Sequence, residues 1–260
     1  NEEAMRPFVA GNPAKRAPVG LAALFRPNTR RRARANVMAH YDLGNDFYAL
    51  WLDPTMSYSS ALFTEPGESL ERAQLNKYDR ILDRLEDRRG EILEIGCGWG
   101  GFAERAIHCG DRRVTGLTLS PSQAAYARAR LRPAPGHADI RLEDYRENRG
   151  RYQSIVSIEM FEAVGERYWK TYLDRLAAQL ESTGKAVIQT ITVDNDYFDS
   201  YRRGGDAVRA YIFPGGMLPS EKRFADEAAN SGLRVTGTHR FGPDYATTLD
   251  RWLANFDARL

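Results

Sequence analysis

Several features that would settle the class of this sequence at once are scarce or missing. Only two cysteines are present, Cys97 and Cys109, which provide neither a disulfide framework nor a set of zinc ligands and suit a reducing cytoplasm. We therefore predict no metal site. The formal net charge is only +2, so the composition indicates no nucleic-acid partner. No apolar run is long enough to span a bilayer and no signal-peptide pattern opens the chain, so we expect any membrane contact to be peripheral.

Length and hydrophobic content set the expected number of domains. The 260 residues, of which 42% are hydrophobic, are enough to bury one sizeable core. Five arginines crowd residues 26–34. Composition alone favours a solvated arm there over a contact with lipid phosphate. We predict a basic arm over residues 1–35 and a single domain over 36–260.

After residue 90 the sequence alternates short apolar runs with helical segments. The predicted strands are 91–95, 114–119, 140–142, 155–158, 186–190 and 233–239. This alternation predicts an α/β fold, which we expect to be a mostly parallel seven-stranded sheet with helices on both faces. The predicted helices are an amphipathic one over 70–85, one capped at Ser120-Pro121, one over 166–180 that Gly184 ends, and one over 247–259.

Residues 193–220 interrupt the alternation. They contain several aromatic side chains, a pair of adjacent glycines at 204–205 and the run 213–216 (FPGG). We predict an insertion that forms a lid or a channel wall over the substrate. A loop that packs on its own aromatic cluster explains the composition equally well.

A glycine-rich turn, residues 94–101 (EIGCGWGG), follows the first predicted strand and opens a helix. In this context glycines let the backbone approach a nucleotide-like cofactor closely. A dinucleotide site would also require an acidic residue about 20 positions on, but the second predicted strand ends in Thr118-Leu119-Ser120. The sequence therefore disfavours NAD. Glu94, at the start of the motif, and Gly100 are instead typical of S-adenosylmethionine methyltransferases.

In open α/β sheets, ligands bind beyond the carboxyl ends of the strands. The residues that this rule selects are Gly96, Gly98, Gly100, Thr118, Leu119, Asp144, Tyr145, Glu159, Glu162 and the run 189–191. Gln123, on the first turn of the helix after the second strand, faces the same crevice. Each residue taken singly could be a cap or a surface residue, but all of them fall on one edge of the sheet.

Seven motifs in a fixed order give the sequence a family resemblance. They are 40–48 (HYDLGNDFY), 56–59 (MSYS), 96–101 (GCGWGG), 116–120 (GLTLS), 159–162 (EMFE), 211–220 (YIFPGGMLPS) and 244–249 (DYATTL). From about residue 40 to 256 the chain resembles the cyclopropane-fatty-acyl-phospholipid synthase family, which includes the mycolic acid cyclopropane synthases. The resemblance implies the Rossmann-like fold of class I methyltransferases.

The resemblance also implies a cofactor site and an anion site. S-adenosylmethionine, which leaves as S-adenosylhomocysteine, is expected to contact Tyr58, Ser59, Gly96, Thr118, Leu119, Gln123, Asp144 and Tyr145. A bicarbonate ion is expected beside the transferred methyl group. Of the family residues that hold this ion, Glu162, Ile191 and Tyr245 are present here.

The sequence departs from the family pattern at three positions. Ser60 stands where the family has cysteine, and Gln189 and Ala163 stand where it has histidine. A serine still offers a backbone N–H, and a glutamine can donate a hydrogen bond to an anion, but a glutamine cannot carry a positive charge or shuttle a proton. Ser60 and Gln189 thus remain candidates for the catalytic site with altered base chemistry.

The activity that the resemblance implies is methyl transfer to the double bond of an unsaturated acyl chain in a phospholipid. Transfer leaves a carbocation on the chain. Loss of a proton from the added methyl closes a cyclopropane ring, whereas loss from a neighbouring carbon, or later supply of hydride, gives a methylated alkene or a methyl-branched chain. Both outcomes stay open. Glu162 is the foremost catalytic candidate and Glu159 the second.

Three further expectations complete the sequence-based account. A phospholipid substrate places the chain in the cytoplasm, peripheral on the inner face of the membrane. A homodimer or a partner protein is compatible with the sequence. Two alternative functions stay open, a methyltransferase for a small soluble molecule and a non-catalytic lipid- or cofactor-binding subunit of a partner enzyme.

Overall fold

The computed structural model describes residues 43–85, 89–204, 209, 213 and 215–259. The basic arm predicted for residues 1–35 lies outside these ranges, as do residues 40–42 of the first motif and residues 211, 212 and 214 of the sixth. The domain boundary predicted at residue 36 therefore stays a prediction. Within the described ranges, no helix combines the length and the apolar content that crossing a membrane requires.

The described chain divides into two compact units. The larger unit contains residues 43–158, 178–189 and 236–259, apart from 86–88. The smaller unit contains residues 159–177 and the described part of 190–235. The predicted insertion at 193–220 belongs to the smaller unit.

One sheet of five parallel strands forms the larger unit, which confirms the predicted α/β class. The strands are β1 (Arg89–Ile95), β2 (Asp111–Thr118), β3 (Ala138–Leu142), β4 (Tyr152–Ile158) and β5 (Leu180–Gln189). They lie in the order β3-β2-β1-β4-β5, with β1 in the centre. The order of the strands switches beside β1, and ligands of open α/β sheets bind beyond the carboxyl ends of strands at such a switch.

The prediction of seven strands is wrong for the described residues, which form five. The predicted strand over 233–239 is absent: these residues form no strand, and Val235 is 44% exposed. Leu233 and Val235 have the alternation of a strand. A strand, however, requires a neighbour that shares its backbone hydrogen bonds, and no described strand provides one here.

Gly184 does not end a helix, contrary to the sequence-based prediction. The helix predicted over 166–180 ends at Gln179, and β5 already begins at Leu180. Gly184 therefore lies inside the strand. A Cβ atom at this position would lie 2.7 Å from the backbone oxygen of Gln153 on β4. Glycine is therefore needed for the close approach of two strands, beside an irregularity in their register near Tyr152.

The helices follow the predicted pattern more closely. They are α1 (Asn45–Ala49), α2 (Leu70–Leu85), α3 (Gly101–His108), α4 (Pro121–Arg130), α5 (Phe161–Val164), α6 (Trp169–Gln179), α7 (Asn195–Arg203), α8 (Glu221–Asn230) and α9 (Gly242–Asp257). The α2 helix has the predicted bounds. The α4 helix begins at the predicted cap, where the Ser120 hydroxyl accepts the N–H of Gln123 at 3.3 Å and Pro121 is the first residue.

Each unit has its own apolar core. In the larger unit, α2 packs against β5 and α3 against β2, and the rings of Tyr78 and Phe102 meet edge to face at 5.7 Å. In the smaller unit, Phe161 is fully buried and its ring contacts the rings of Trp169 and Phe224. Burial of aromatic rings supplies much of the apolar area that stabilises such small cores.

Candidate functional site

The glycine-rich turn has the predicted strand-to-helix geometry. Gly96, Gly98 and Gly100 have φ angles of 85°, 50° and 84°, which residues other than glycine rarely adopt. The N–H groups of Gly96 and Cys97 both donate to the oxygen of Leu117 on β2, at 3.0 and 2.9 Å. The turn is thus fixed to the neighbouring strand β2, and it lies at the carboxyl ends of the strands.

We expect Gly101→Ala to destabilise the protein by about 1–3 kcal/mol, because the added Cβ would lie 2.5 Å from the backbone oxygen of Thr55. Gly242→Ala is the matched control, since Gly242 also opens a helix but a Cβ atom added there would meet no heavy atom within 4 Å. Urea unfolding of both variants measures the difference. Equal stabilities of the two variants would contradict a close approach of the Thr55 backbone to Gly101.

Glu94 lies near the end of β1 and is buried, with 3% exposure. Its Oε2 atom has no hydrogen-bond partner among the described residues. Burial raises the pKa of this carboxyl well above its usual range, and the charge of Lys77 acts in the opposite direction. A buried carboxylate oxygen with unused acceptor capacity is suited to a cationic or donor group of a ligand.

The predicted residues after β2 come together. The Thr118 hydroxyl donates to the side-chain oxygen of Gln123 at 2.8 Å and accepts the N–H of Ser120 at 3.2 Å. Leu119 lies between them in the chain. Thr118 and Gln123 are both buried, so the end of β2 and the first turn of α4 form one fixed wall.

Asp144 and Tyr145 follow β3, as predicted, and each is held by a hydrogen bond from another side chain. Arg146 donates to both oxygens of Asp144, at 2.8 Å from Nε to Oδ1 and 2.6 Å from its terminal nitrogen to Oδ2. Both side chains are only 8% exposed. The backbone oxygen of Tyr145 accepts the side-chain amide of Gln179 at 3.3 Å. Sequence reasoning missed Arg146, although its place two residues after the acid was a usable signal.

The turn at residues 58–60 is held by side chains from two elements. Gln189, at the end of β5, donates from Nε2 to the backbone oxygen of Ser60 at 3.2 Å. From α2, Gln74 donates to the backbone oxygen of Ser59 at 2.9 Å and Lys77 donates to the Ser59 hydroxyl at 2.5 Å. Both departures from the family pattern in this unit, Ser60 and Gln189, thus lie in direct contact.

Tyr58 and Tyr245 belong to one aromatic cluster of the larger unit. The Tyr58 ring lies 5.3 Å from that of Trp51 and 5.5 Å from that of Trp252, and Tyr245 on α9 packs against the same cluster. Core packing explains the rings without a ligand. Their negative faces would equally favour a cation nearby.

In the smaller unit, the catalytic candidate Glu162 is held by hydrogen bonds from backbone N–H groups. The N–H of Ile191 donates to Glu162 Oε1, and the N–H of Met217 donates to the backbone oxygen of Glu162 at 2.9 Å. The residue as a whole is partly exposed, but its Oε2 is buried and has no hydrogen-bond partner among the described residues. The structure thus brings together two predicted residues, Glu162 and Ile191.

The environment of Glu162 raises its pKa to about 8, first by burial and then by the negative charge of Glu159. Glu159 itself has a φ angle of 47°, a left-handed conformation that is strained for a residue other than glycine. A carboxyl group with a pKa near neutrality can exchange a proton under physiological conditions, which is what a general acid or base requires.

The chain is similar to known proteins along most of its length. Residues 28–260 match the family described as mycolic acid cyclopropane synthetase. The tuberculostearic acid methyltransferase UfaA1 of Mycobacterium tuberculosis is 40% identical over 250 residues, covering 90% of this chain and 58% of that protein. The cyclopropane-fatty-acyl-phospholipid synthase of Escherichia coli K12 is 35% identical over 236 residues, covering 90% and 60%. The chain spans about three fifths of the length of these curated relatives.

A solved structure extends the similarity to the fold. The mycolic acid cyclopropane synthase CmaA1, complexed with SAH and CTAB, is similar with a TM-score of 0.77 at 32% identity, over 86% of this chain and 83% of that one. The fold is therefore the Rossmann-like fold of class I S-adenosylmethionine methyltransferases, as the motifs predicted. Because the family match extends over residues 28–260, the chain belongs to the mycolic acid cyclopropane synthetase family.

Proposed function

We propose that the chain transfers the methyl group of S-adenosylmethionine to the double bond of an unsaturated fatty acyl chain in a phospholipid. The observation that carries the proposal is the Glu162 carboxyl group, which is held by the Ile191 N–H and has a pKa raised to about 8. A proton acceptor is what the chemistry needs after a methyl group has been added to an alkene. The names of the two curated relatives, a tuberculostearic acid methyltransferase and a cyclopropane-fatty-acyl-phospholipid synthase, support the substrate class.

The residues present fit S-adenosylmethionine. The orphaned Oε2 of buried Glu94 offers an acceptor, and the three left-handed glycines leave the backbone open beside it. We assign the cofactor to Tyr58, Ser59, Glu94, Gly96, Gly98, Gly100, Thr118, Leu119, Gln123, Asp144 and Tyr145. When bound, the cofactor supplies a methyl group on a cationic sulfur. The protein's part is to fix the cofactor and exclude water.

Glu162 has the role of proton acceptor in this proposal. Its raised pKa makes the ionised carboxylate a stronger base than an ordinary glutamate, and the Ile191 N–H fixes one oxygen while the other, Oε2, remains for the proton. A proton taken from the added methyl closes a cyclopropane ring, and a proton taken from a neighbouring carbon leaves a methylated alkene. A methyl-branched chain results if a hydride donor instead adds hydride to the carbocation, with no proton lost.

Bicarbonate fits less well than the cofactor. Two of the groups that the family resemblance assigns to the anion already donate elsewhere: the Ile191 N–H to Glu162, and the Gln189 amide to Ser60. Bicarbonate therefore has no role in the proposed reaction. Ser60, Gln189 and Tyr245 complete the proposed catalytic set as positioning groups of the larger unit.

Access to the substrate is part of the same proposal. Phospholipids lie in a bilayer, so the chain must contact the membrane peripherally, on its cytoplasmic face. The insertion at 193–220 is proposed as a wall of the acyl site. Its ends meet in the smaller unit, where Val193 and Ser220 form an isolated β-bridge. A homodimer or a partner protein stays compatible with this proposal.

The test of the proposal compares two sets of phospholipid vesicles, one with cis-unsaturated and one with saturated acyl chains. The protein is incubated with S-adenosylmethionine labelled in the methyl group, and the fatty acids are then released and analysed by mass spectrometry. We expect label in the fatty acids of the unsaturated vesicles alone. Label that enters only a soluble acceptor, or cofactor binding without any transfer, would overturn the proposal in favour of one of the two alternatives.

Replacing Glu159 should move the pH dependence of turnover. The charge of Glu159 raises the pKa of Glu162, so in Glu159→Gln the rise of kcat/KM with pH should occur lower, by up to about one pH unit. Glu166→Gln is the matched control, since the carboxylate of Glu166 pairs with Arg202 at 2.8 Å. A profile that stays in place, or moves to higher pH, would contradict the role of Glu162 as the ionising group.

A further inference from the structure

Lys77 is a buried cation on the core-facing side of α2. Its residue exposure is 2%, and its Nζ donates to the Ser59 hydroxyl and to the side-chain oxygen of Gln74, each at 2.5 Å. The same nitrogen lies 4.8 Å from the centre of the Tyr78 ring. Lysines of amphipathic helices normally turn towards solvent, because burying an ammonium group is costly without partners. This position therefore requires a specific reason.

Gln74, the neighbour of Lys77 on the same face of α2, also contacts Ser59. Gln74 is fully buried, and its Nε2 donates to the backbone oxygen of Ser59 at 2.9 Å. One turn of α2 thus binds both the backbone and the side chain of Ser59. Gln189 holds the following residue, Ser60, from the end of β5. Three side chains fix the turn that we assign to the cofactor.

The charge of Lys77 also acts on a second buried group of the larger unit, the Glu94 carboxyl. Glu94 is buried near the end of β1, and Lys77 is the positive charge that opposes the effect of burial on its ionisation. The charge of Glu94 also acts on Tyr78 of α2 and on Cys97 of the glycine-rich turn. Burial raises the pKa of both, so neither carries a charge near neutral pH.

We propose that Lys77 is a positioning residue of the cofactor site, which fixes the Ser59 hydroxyl in the turn at residues 58–60 and whose charge also acts on the buried Glu94 carboxyl. The inference rests on the proposed function, because it assumes that Ser59 and Glu94 contact S-adenosylmethionine. It goes beyond the strand-end residues and the family motifs, since Lys77 lies in the middle of a helix that carries neither.

The experiment measures the affinity for S-adenosylhomocysteine by calorimetry between about pH 5.5 and 8.5, a range that lies between the ordinary pKa values of glutamate and lysine side chains. The proteins are the wild type, Lys77→Gln, Glu94→Gln and the double variant. In Lys77→Gln the pH at which affinity reaches half its maximum should rise by about one unit or more, because Glu94 loses its counter-charge. In Glu94→Gln and in the double variant this dependence should be absent. Titration of the ligand itself is common to all four proteins.

Gln74→Met is the matched control for geometry, since it removes the hydrogen bonds of Gln74 to Ser59 and to Lys77 without changing charge. It should weaken binding at every pH and leave the profile in place. If Lys77→Gln behaves in the same way, the electrostatic role is wrong; if its affinity equals that of the wild type, both roles are wrong. Absence of binding by the folded wild type would instead count against the proposed function.

Discussion

Glu162→Gln should lose turnover by about 10²–10⁴-fold and keep its affinity for S-adenosylhomocysteine. Glutamine can still accept the N–H of Ile191 through its side-chain oxygen, so the local structure is retained. It cannot accept a proton at the position of Oε2. Methyl transfer from the labelled cofactor to unsaturated phospholipid measures the loss, and calorimetry measures the affinity.

The control for this variant is Glu166→Gln, which changes a carboxylate of the same unit that is paired with Arg202. Its turnover should stay close to that of the wild type. Normal turnover by Glu162→Gln would show that proton acceptance lies elsewhere. A parallel loss of cofactor affinity would show that Glu162 acts on binding and not on the chemical step.

Glu162→Gln should also stabilise the protein, and more so as the pH rises. The pKa of Glu162 is raised from 4.5 to about 8 on folding, so the folded state holds the proton more tightly than the unfolded state. The wild type therefore loses stability as pH increases from about 4.5 towards 8, by at most about 5 kcal/mol, whereas glutamine does not titrate. Urea unfolding at pH 5.5 and pH 8 gives the two differences.

The expected sign is specific to this raised pKa. At pH 5.5, one unit above the ordinary pKa of the carboxyl, the variant should be more stable by about 1 kcal/mol, and at pH 8 by about 4 kcal/mol. A variant that is less stable than the wild type at pH 8 would mean that the ionised carboxylate is stabilised in the folded protein. Lost activity with gained stability is the pattern of a residue kept for function.

In the larger unit, the parts of the site that the backbone forms at the strand ends could be predicted from the sequence. The glycine-rich turn, the cap at Ser120 and the placement of Thr118 beside Gln123 follow from local rules, because the residues concerned lie close together in the chain. The missing strand at 233–239 shows the limit of such rules. Alternation of Leu233 and Val235 describes what a strand would bury, but whether a neighbouring strand exists is not a local property.

The side chains that hold the site were harder to predict because their partners are distant in sequence. The pattern of α2 marks Gln74 and Lys77 as polar residues among apolar ones, yet nothing in it names Ser59 as their partner. In the same way, the contact of Glu162 with Ile191 joins residues 29 positions apart. The family resemblance supplied the identity of Glu162, and the structure supplied the cause of its raised pKa.

Methyl transfer to the acyl double bond is tested most directly with S-adenosylmethionine that carries a trideuterated methyl group and with vesicles of cis-unsaturated phospholipid. Mass spectrometry of the released fatty acids locates the added carbon and counts its deuterium atoms. We expect the carbon to be attached at the former double bond, with one deuterium lost if a ring has closed and none lost if a branch has formed. Deuterium on the head group, on the carboxyl group or on a saturated chain would contradict it.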